Sequence, residues 1–149
     1  MKHVLVPISA PEDARWAAEQ AIARYRKEPV HIHLLNVQRP LPQHISRFFG
    51  GGDLRNFHRD SGMRVLEPAI RMLDEAGVPH RDHVEVGNPA KTIVDFSERN
   101  SCAEVVLQDQ SESLLAIFGL GSIGSQVRHL MQERAAAAAH GSSGASGTT

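Results

Sequence analysis

Val4-Leu5-Val6-Pro7-Ile8 is an unbroken apolar run, and its reading decides the fold. A strand with one wet face alternates apolar and polar residues. A run without polar residues suits a strand covered on both faces, as in a parallel sheet. Working outward, Pro11-Glu12-Asp13 opens a helix with acidic residues in its first turn. Ala14, Ala17, Ala18, Ala21, Ile22 and Tyr25 recur at helical spacing through Arg26. Val30 to Val37 reads as a second strand, and His83 to Val86 as a third, shorter one. Between them, Met63, Leu66, Ile70 and Leu73 mark a helix closed by Gly77 and Pro79. Gly87-Asn88-Pro89 turns into a helix from about Pro89 to Arg99, and Glu104 to Leu107 reads as a fourth strand. Ile123, Val127, Leu130 and Met131 give a final helical face. Strands alternating with helices argue an α/β fold with a parallel sheet and right-handed crossovers.

The segment from Gln38 to about Asp60 carries Pro40, Pro42 and Gly50-Gly51-Gly52 and reads as a long loop. Ala135 to Ala139 extends the last helix, because Ala has the highest helix propensity. His140 to Thr149 offers no apolar face and reads as a flexible tail. The expected organisation is therefore one domain over 1–134 and an Ala-rich extension with a tail over 135–149.

A chain of 149 residues with 41% hydrophobic and 22% charged residues suits a globular domain with one core. A formal net charge of −1 gives no bulk attraction to nucleic acid or membrane. No stretch approaches the ~20 apolar residues of a membrane span. The apolar start, Met1 to Ile8, is too short for a signal peptide. With Cys102 as its single cysteine, the chain has no internal disulfide, and a reducing, cytoplasmic setting is expected.

Gly119-Leu120-Gly121-Ser122-Ile123-Gly124 spells G-x-G-x-x-G before the last helix. A helix start presents free N–H groups and about half a unit of positive charge, so it favours anions. The dinucleotide fingerprint belongs directly after a strand, with an acidic residue ~20 positions on. Here the motif stands apart from the fourth strand and is followed by the Gly/Ser tail, so it reads as a helix cap.

In their order and spacing, VLVPIS, LLNV, VEVGNPAKTIVDF, EVVL and GLGSIGSQVRHL resemble the universal stress protein family, from Lys2 to about Leu130. The resemblance implies a doubly wound parallel sheet, adenine nucleotide alpha hydrolase-like, with five strands ordered 3-2-1-4-5. It puts a nucleotide crevice between strands 1 and 4, beyond Ile8 and Leu107. Members that bind ATP carry Gly-x2-Gly-x9-Gly-Ser/Thr after the fourth strand. Carried over, the positions of interest are Pro7, Ser9, Val37, Gln108, Ser111, Gly121, Ser122 and Ile123. Gly121-Ser122 retains the second half of the pattern, whereas Gln108 and Ser111 stand where the first two glycines would. The Val-Asp-Gly-Ser that usually ends the first strand is Ile8-Ser9-Ala10-Pro11, without the carboxylate. Glycine lets phosphate approach the backbone, and these residues forgo that. Asp109 and Glu112 add like charge, which costs about 4 kcal/mol per pair at ~4 Å and an effective dielectric near 20.

The expected function is thus that of a non-enzymatic stress-response protein acting through protein contacts, with no firm cofactor. The alternative is an ATP- or AMP-binding member using the Gly121-Ser122 helix start. No apolar segment follows the last helix, so a four-stranded sheet ordered 3-2-1-4 is expected, with strand 4 at an edge. In the family the fifth strand commonly pairs across a dimer, so any homodimer is expected to be weakened or altered.

The remaining chemistry-bearing residues favour plain readings. His31 and His33 alternate on one strand and share a side, where packing outweighs metal ligation. His58, His80 and His83 are expected in solvent, and Cys102 as a small buried thiol. Glu12-Asp13 look like helix N-terminal charges, and Trp16 like a core residue. Phe48, Phe49 and Phe57 suggest a contact surface, since loops are seldom buried. No nucleophile–base pair supports catalysis.

Overall fold

Apolar side chains on both faces of its central strands make this sheet the middle layer of the fold. The computed structural model describes residues 1–108 and 122–144. The chain divides into two units, Met1–Gln108 and Asp109–Thr149. The first unit holds strands β1 (His3–Pro7), β2 (His31–Gln38), β3 (His80–Val86) and β4 (Cys102–Val105). All pair in parallel, in the order β3-β2-β1-β4. The sheet thus has the expected order, and strand order reverses between β1 and β4. Register runs His3 with His31 to Pro7 with Leu35, and Ile32 with His80 to Gln38 with Val86. Along the β1–β4 ladder His3 pairs with Cys102 and Val4 with Glu104, so Ala103 is a bulge residue.

A 3-10 turn (Pro11–Asp13) leads into α1 (Ala14–Lys27). Ala14, Ala17, Ala18 and Ala21 are buried, which lets the helix approach the sheet closely. They pack with Val4, Val6, Ile8, Ile32 and Leu34 on one sheet face, joined by Leu66, Ala69 and Leu73. Trp16 is partly buried against the same cluster. Truncating a buried leucine such as Leu66 to alanine typically costs 2–5 kcal/mol. The opposite face presents Leu5, His33 and Leu35, all buried. Over it lies α4 (Pro89–Arg99), with Ile93, Val94 and Phe96 buried. Helix α4 has the bounds expected from sequence and is capped by Asn88, whose side chain accepts from the Lys91 N–H at 3.0 Å.

The expected loop from Gln38 to Asp60 is largely helical. It contains α2 (Gln43–Ser46) and the first ten residues of α3 (Gly51–Glu75). Gly50 is the N-cap residue, and Gly51 and Gly52 stand exposed in the first turn, where glycine costs little. The buried positions His58, Gly62, Leu66, Ala69 and Leu73 keep helical spacing, but His and Gly hide that period from an apolar count. Gly77, at φ +70, ends the helix in the left-handed region that glycine favours. Strand β3 starts at His80, earlier than expected, because its alternating polar residues obscure it.

The second unit contains α5 (Ile123–Gly144). It passes through the Ala run and continues over His140–Gly144, where a tail was expected. Glycine at 141 and 144 costs about 1 kcal/mol each relative to alanine, so this last stretch rests on the helix already nucleated through the Ala run. No helix among the described residues is long and apolar enough to cross a membrane.

Candidate functional site

The carboxyl ends of β1, β2 and β4 bring together four of the expected positions. Pro7 ends β1 and Ser9 follows it, exposed; Val37 lies near the end of β2, half-buried; Gln108 lies beyond β4. The backbone continues the ladders past the strands: the Ile8 N–H donates to the Leu35 carbonyl at 2.9 Å, and the Val106 N–H to the Leu5 carbonyl at 2.8 Å. Beneath this rim lies Asn36, 1% exposed. Its Nδ2 donates to the Ile8 carbonyl at 2.9 Å, and its Oδ1 accepts from Gln38 Nε2 at 2.7 Å. The amides therefore satisfy one another and the backbone, and they hold the ends of β1 and β2 together.

Ser111 and Gly121 lie outside the described residues. Ser122 and Ile123 belong to the second unit, where Ser122 precedes α5. Its Oγ accepts from the Ser125 N–H at 3.1 Å, a serine N-cap.

The amino end of the sheet differs in chemistry. A ladder of histidines from three neighbouring strands starts there, at His3 and His31, and runs diagonally to His83 in the middle of β3. His3 stacks on His31 with ring centroids 4.6 Å apart, His3 on His33 at 5.1 Å, and His33 on His83 at 5.3 Å. His3 Nδ1 and His33 Nε2 share a hydrogen bond of 2.8 Å, and His33 Nδ1 and His83 Nε2 one of 3.1 Å. Phe96 closes the ladder from α4, edge-on to His83 at 4.8 Å and to His33 at 5.8 Å. In a neutral His33 one ring nitrogen donates and the other accepts, so the bonds share one direction along the chain. Burial, then the neighbouring His83, His3, Arg81 and His31, bring the His33 pKa down to about 4. Burial also lowers His83, against the pull of Asp82 and Glu85 and with the push of Arg81 and Arg99.

His80 goes the other way. Burial disfavours its charged form, but hydrogen bonds of 2.7 Å to Asp74 and to Asp82 outweigh this and raise its pKa. Cys102, beside His3 in register, is half-buried, and burial raises its thiol pKa. Such a thiol is a poor nucleophile at neutral pH. Burial and then Glu12 raise the Asp13 pKa.

Three expectations about histidine change accordingly. His58 is buried at 5% exposure, the His80 side chain is 9% exposed between Asp74 and Asp82, and His83 is a half-buried member of the ladder, so none stands in open solvent. His3 was missed, because residue 3 meets residue 31 only through strand pairing. Among the described residues no group of three or more His, Cys, Asp or Glu is arranged to hold a metal ion. Of the aromatics singled out from the sequence, Phe48 and Phe49 lie in the turn between α2 and α3, and Phe57 lies on α3. Phe48 is 79% exposed, and Phe49 stands 5.4 Å from Phe57, centroid to centroid.

A model of the universal stress protein family matches residues 1–132. Among solved structures, the fold is similar to that of the hypothetical protein MJ0577, at 22% identity and a TM-score of 0.67, over 86% of this chain and 88% of that one. It is similar to a universal stress protein family protein from Arabidopsis thaliana with AMP bound, at 21% identity and 0.54, over 79% and 83% of the chains. A universal stress protein in complex with cAMP matches at 16% identity and 0.55, over 86% and 88%. No curated protein matches the chain.

Proposed function

This chain belongs to the universal stress protein family, and from that premise we propose that it acts without catalysis, through contacts with other proteins in a reducing cytoplasm. The observation that carries this reading is the apolar group exposed beyond the end of β2. Phe48 is 79% exposed, Ile45 and Phe57 are each 41% exposed, and Arg47 lies over the Phe48 ring at 5.2 Å. Large exposed aromatics beside arginine are typical anchors of protein interfaces. The crevice supports the same reading from the other side. Ser9-Ala10-Pro11 offers no carboxylate, Gln108 stands where a glycine would, and the Asn36 amide is engaged within the protein.

Isothermal titration with Mg-ATP and with AMP tests the reading. No saturable heat is expected at micromolar concentrations. Micromolar binding would replace it with the nucleotide-binding alternative at Gly121-Ser122, in line with the neighbours that hold AMP and cAMP. A homodimer, if formed, is proposed to be weak, and a tight dimer by light scattering at low micromolar concentration would overturn that.

A further inference from the structure

A cavity of about 450 Å³ opens between α3 and the edge strand β3. This edge is the opposite one from β4, so the cavity is distinct from the crevice between β1 and β4. Its helical wall presents Arg55, His58, Arg59 and Met63, and its strand wall Asp82 and Val84. Arg55 and Arg59 are four residues apart on α3 and so share a face. Neither guanidinium has an ion pair among the described residues.

His58 supplies an independent sign of a ligand. Its side chain lines the cavity while only 5% exposed, and its Nδ1 is buried without a hydrogen-bond partner among the described residues. A buried polar atom left so is costly, so proteins rarely keep one without use. Asp82 is the one carboxylate on the lining, and its Oδ1 is already held by His80 at 2.7 Å. Two arginines and a histidine therefore share the lining with one partly neutralised acid. Met63, Val84 and Val86 add an apolar wall, and the volume falls in the range of small-molecule sites.

We propose that this cavity binds a small organic phosphate monoester, with its phosphate on Arg55, Arg59 and His58 and its apolar body on Met63, Val84 and Val86. Two arginines match a dianionic phosphate better than a singly charged carboxylate, and guanidinium forks suit phosphate oxygens geometrically.

Phenyl phosphate is the probe, titrated into the full chain and followed by amide 1H–15N shifts. Saturable shifts are expected along 55–63 and 82–86. Affinity should fall at least ~tenfold in the Arg55→Gln/Arg59→Gln double variant, whose circular dichroism stays that of the parent. Benzoate and inorganic phosphate should each bind more weakly. The proposal is overturned by no saturable shift, by an unchanged affinity in the folded double variant, or by shifts centred on the ends of β1 and β4. Benzoate binding as well as phenyl phosphate would overturn the phosphate assignment.

Discussion

The two ends of this sheet both place polar side chains against buried backbone, but they satisfy them differently. At the carboxyl end, Asn36 and Gln38 pair with each other and with the Ile8 carbonyl. Amides do not titrate, so that end holds its bonds across the pH range. From the amino end inward, His33 pairs with His3 on one side and His83 on the other. An imidazole bond depends on which nitrogen carries the proton, so that end answers to pH. The contrast teaches that one sheet can hold its polar side chains in bonds that do not titrate at one end and in titratable bonds elsewhere.

The largest effect is expected from breaking the carboxyl end by volume. A Cβ at Gly62 would lie 2.5 and 2.6 Å from the two methyl carbons of Val84 and 3.1 Å from Asn36 Oδ1. Valine is stiff at χ1, so the neighbour has little room to give. Gly62→Val should destabilise by roughly 3 kcal/mol, at the upper end of overpacking costs. Urea unfolding reads this directly, and a change under ~0.5 kcal/mol would mean that α3 does not approach β3 so closely.

The amino end supplies the next effect. Folded His33 has its pKa near 4, against an ordinary value of 6.5. Between these values the unfolded chain binds a proton that the folded chain does not. Stability from His33 is therefore complete above about pH 6.5 and falls as pH drops towards 4, by about 2–3 kcal/mol. The lowered His83 acts in the same direction. His80 is raised, so its contribution is complete below about 6.5 and is lost as pH rises through its folded pKa, which partly offsets the trend. The urea midpoint should decline between pH 7 and 4.5, and less steeply in His33→Gln. A flat wild-type profile over that window would remove the contrast between the ends.

The smallest effect sharpens the comparison. Gln38→Ala deletes the 2.7 Å bond to Asn36 Oδ1 and should cost about 1 kcal/mol. That loss should be the same at pH 5 and pH 7, unlike the loss in His33→Gln. A pH-dependent loss at Gln38 would show that the two ends are coupled through β2.

Much of the layer order was legible. The apolar run at Val4–Ile8, the Ala-rich period of α1 and the Asn88-Pro89 start of α4 each obey a local rule, and the structure follows them. The start of α3 was hidden, because Gly50-Gly51-Gly52 looks like a loop, while the buried period below it runs through His58 and Gly62. The histidine ladder was half visible: the period of a strand puts His31 and His33 on one side, but His3 and His83 arrive from other strands.

By itself, the sequence determined the α/β class and the strand order implied by its family resemblance. These follow from local periodicity and from residue identity, which need no neighbours. Only the tertiary structure decided which polar groups meet: Asn36 with Ile8, His33 with His3 and His83, and His58, whose Nδ1 has no partner among the described residues, on one cavity wall with Arg55 and Arg59. The physical reason is that burial and pairing are properties of two or more segments at once. Strand register and helix placement set them, across separations of tens of residues that no local pattern spans.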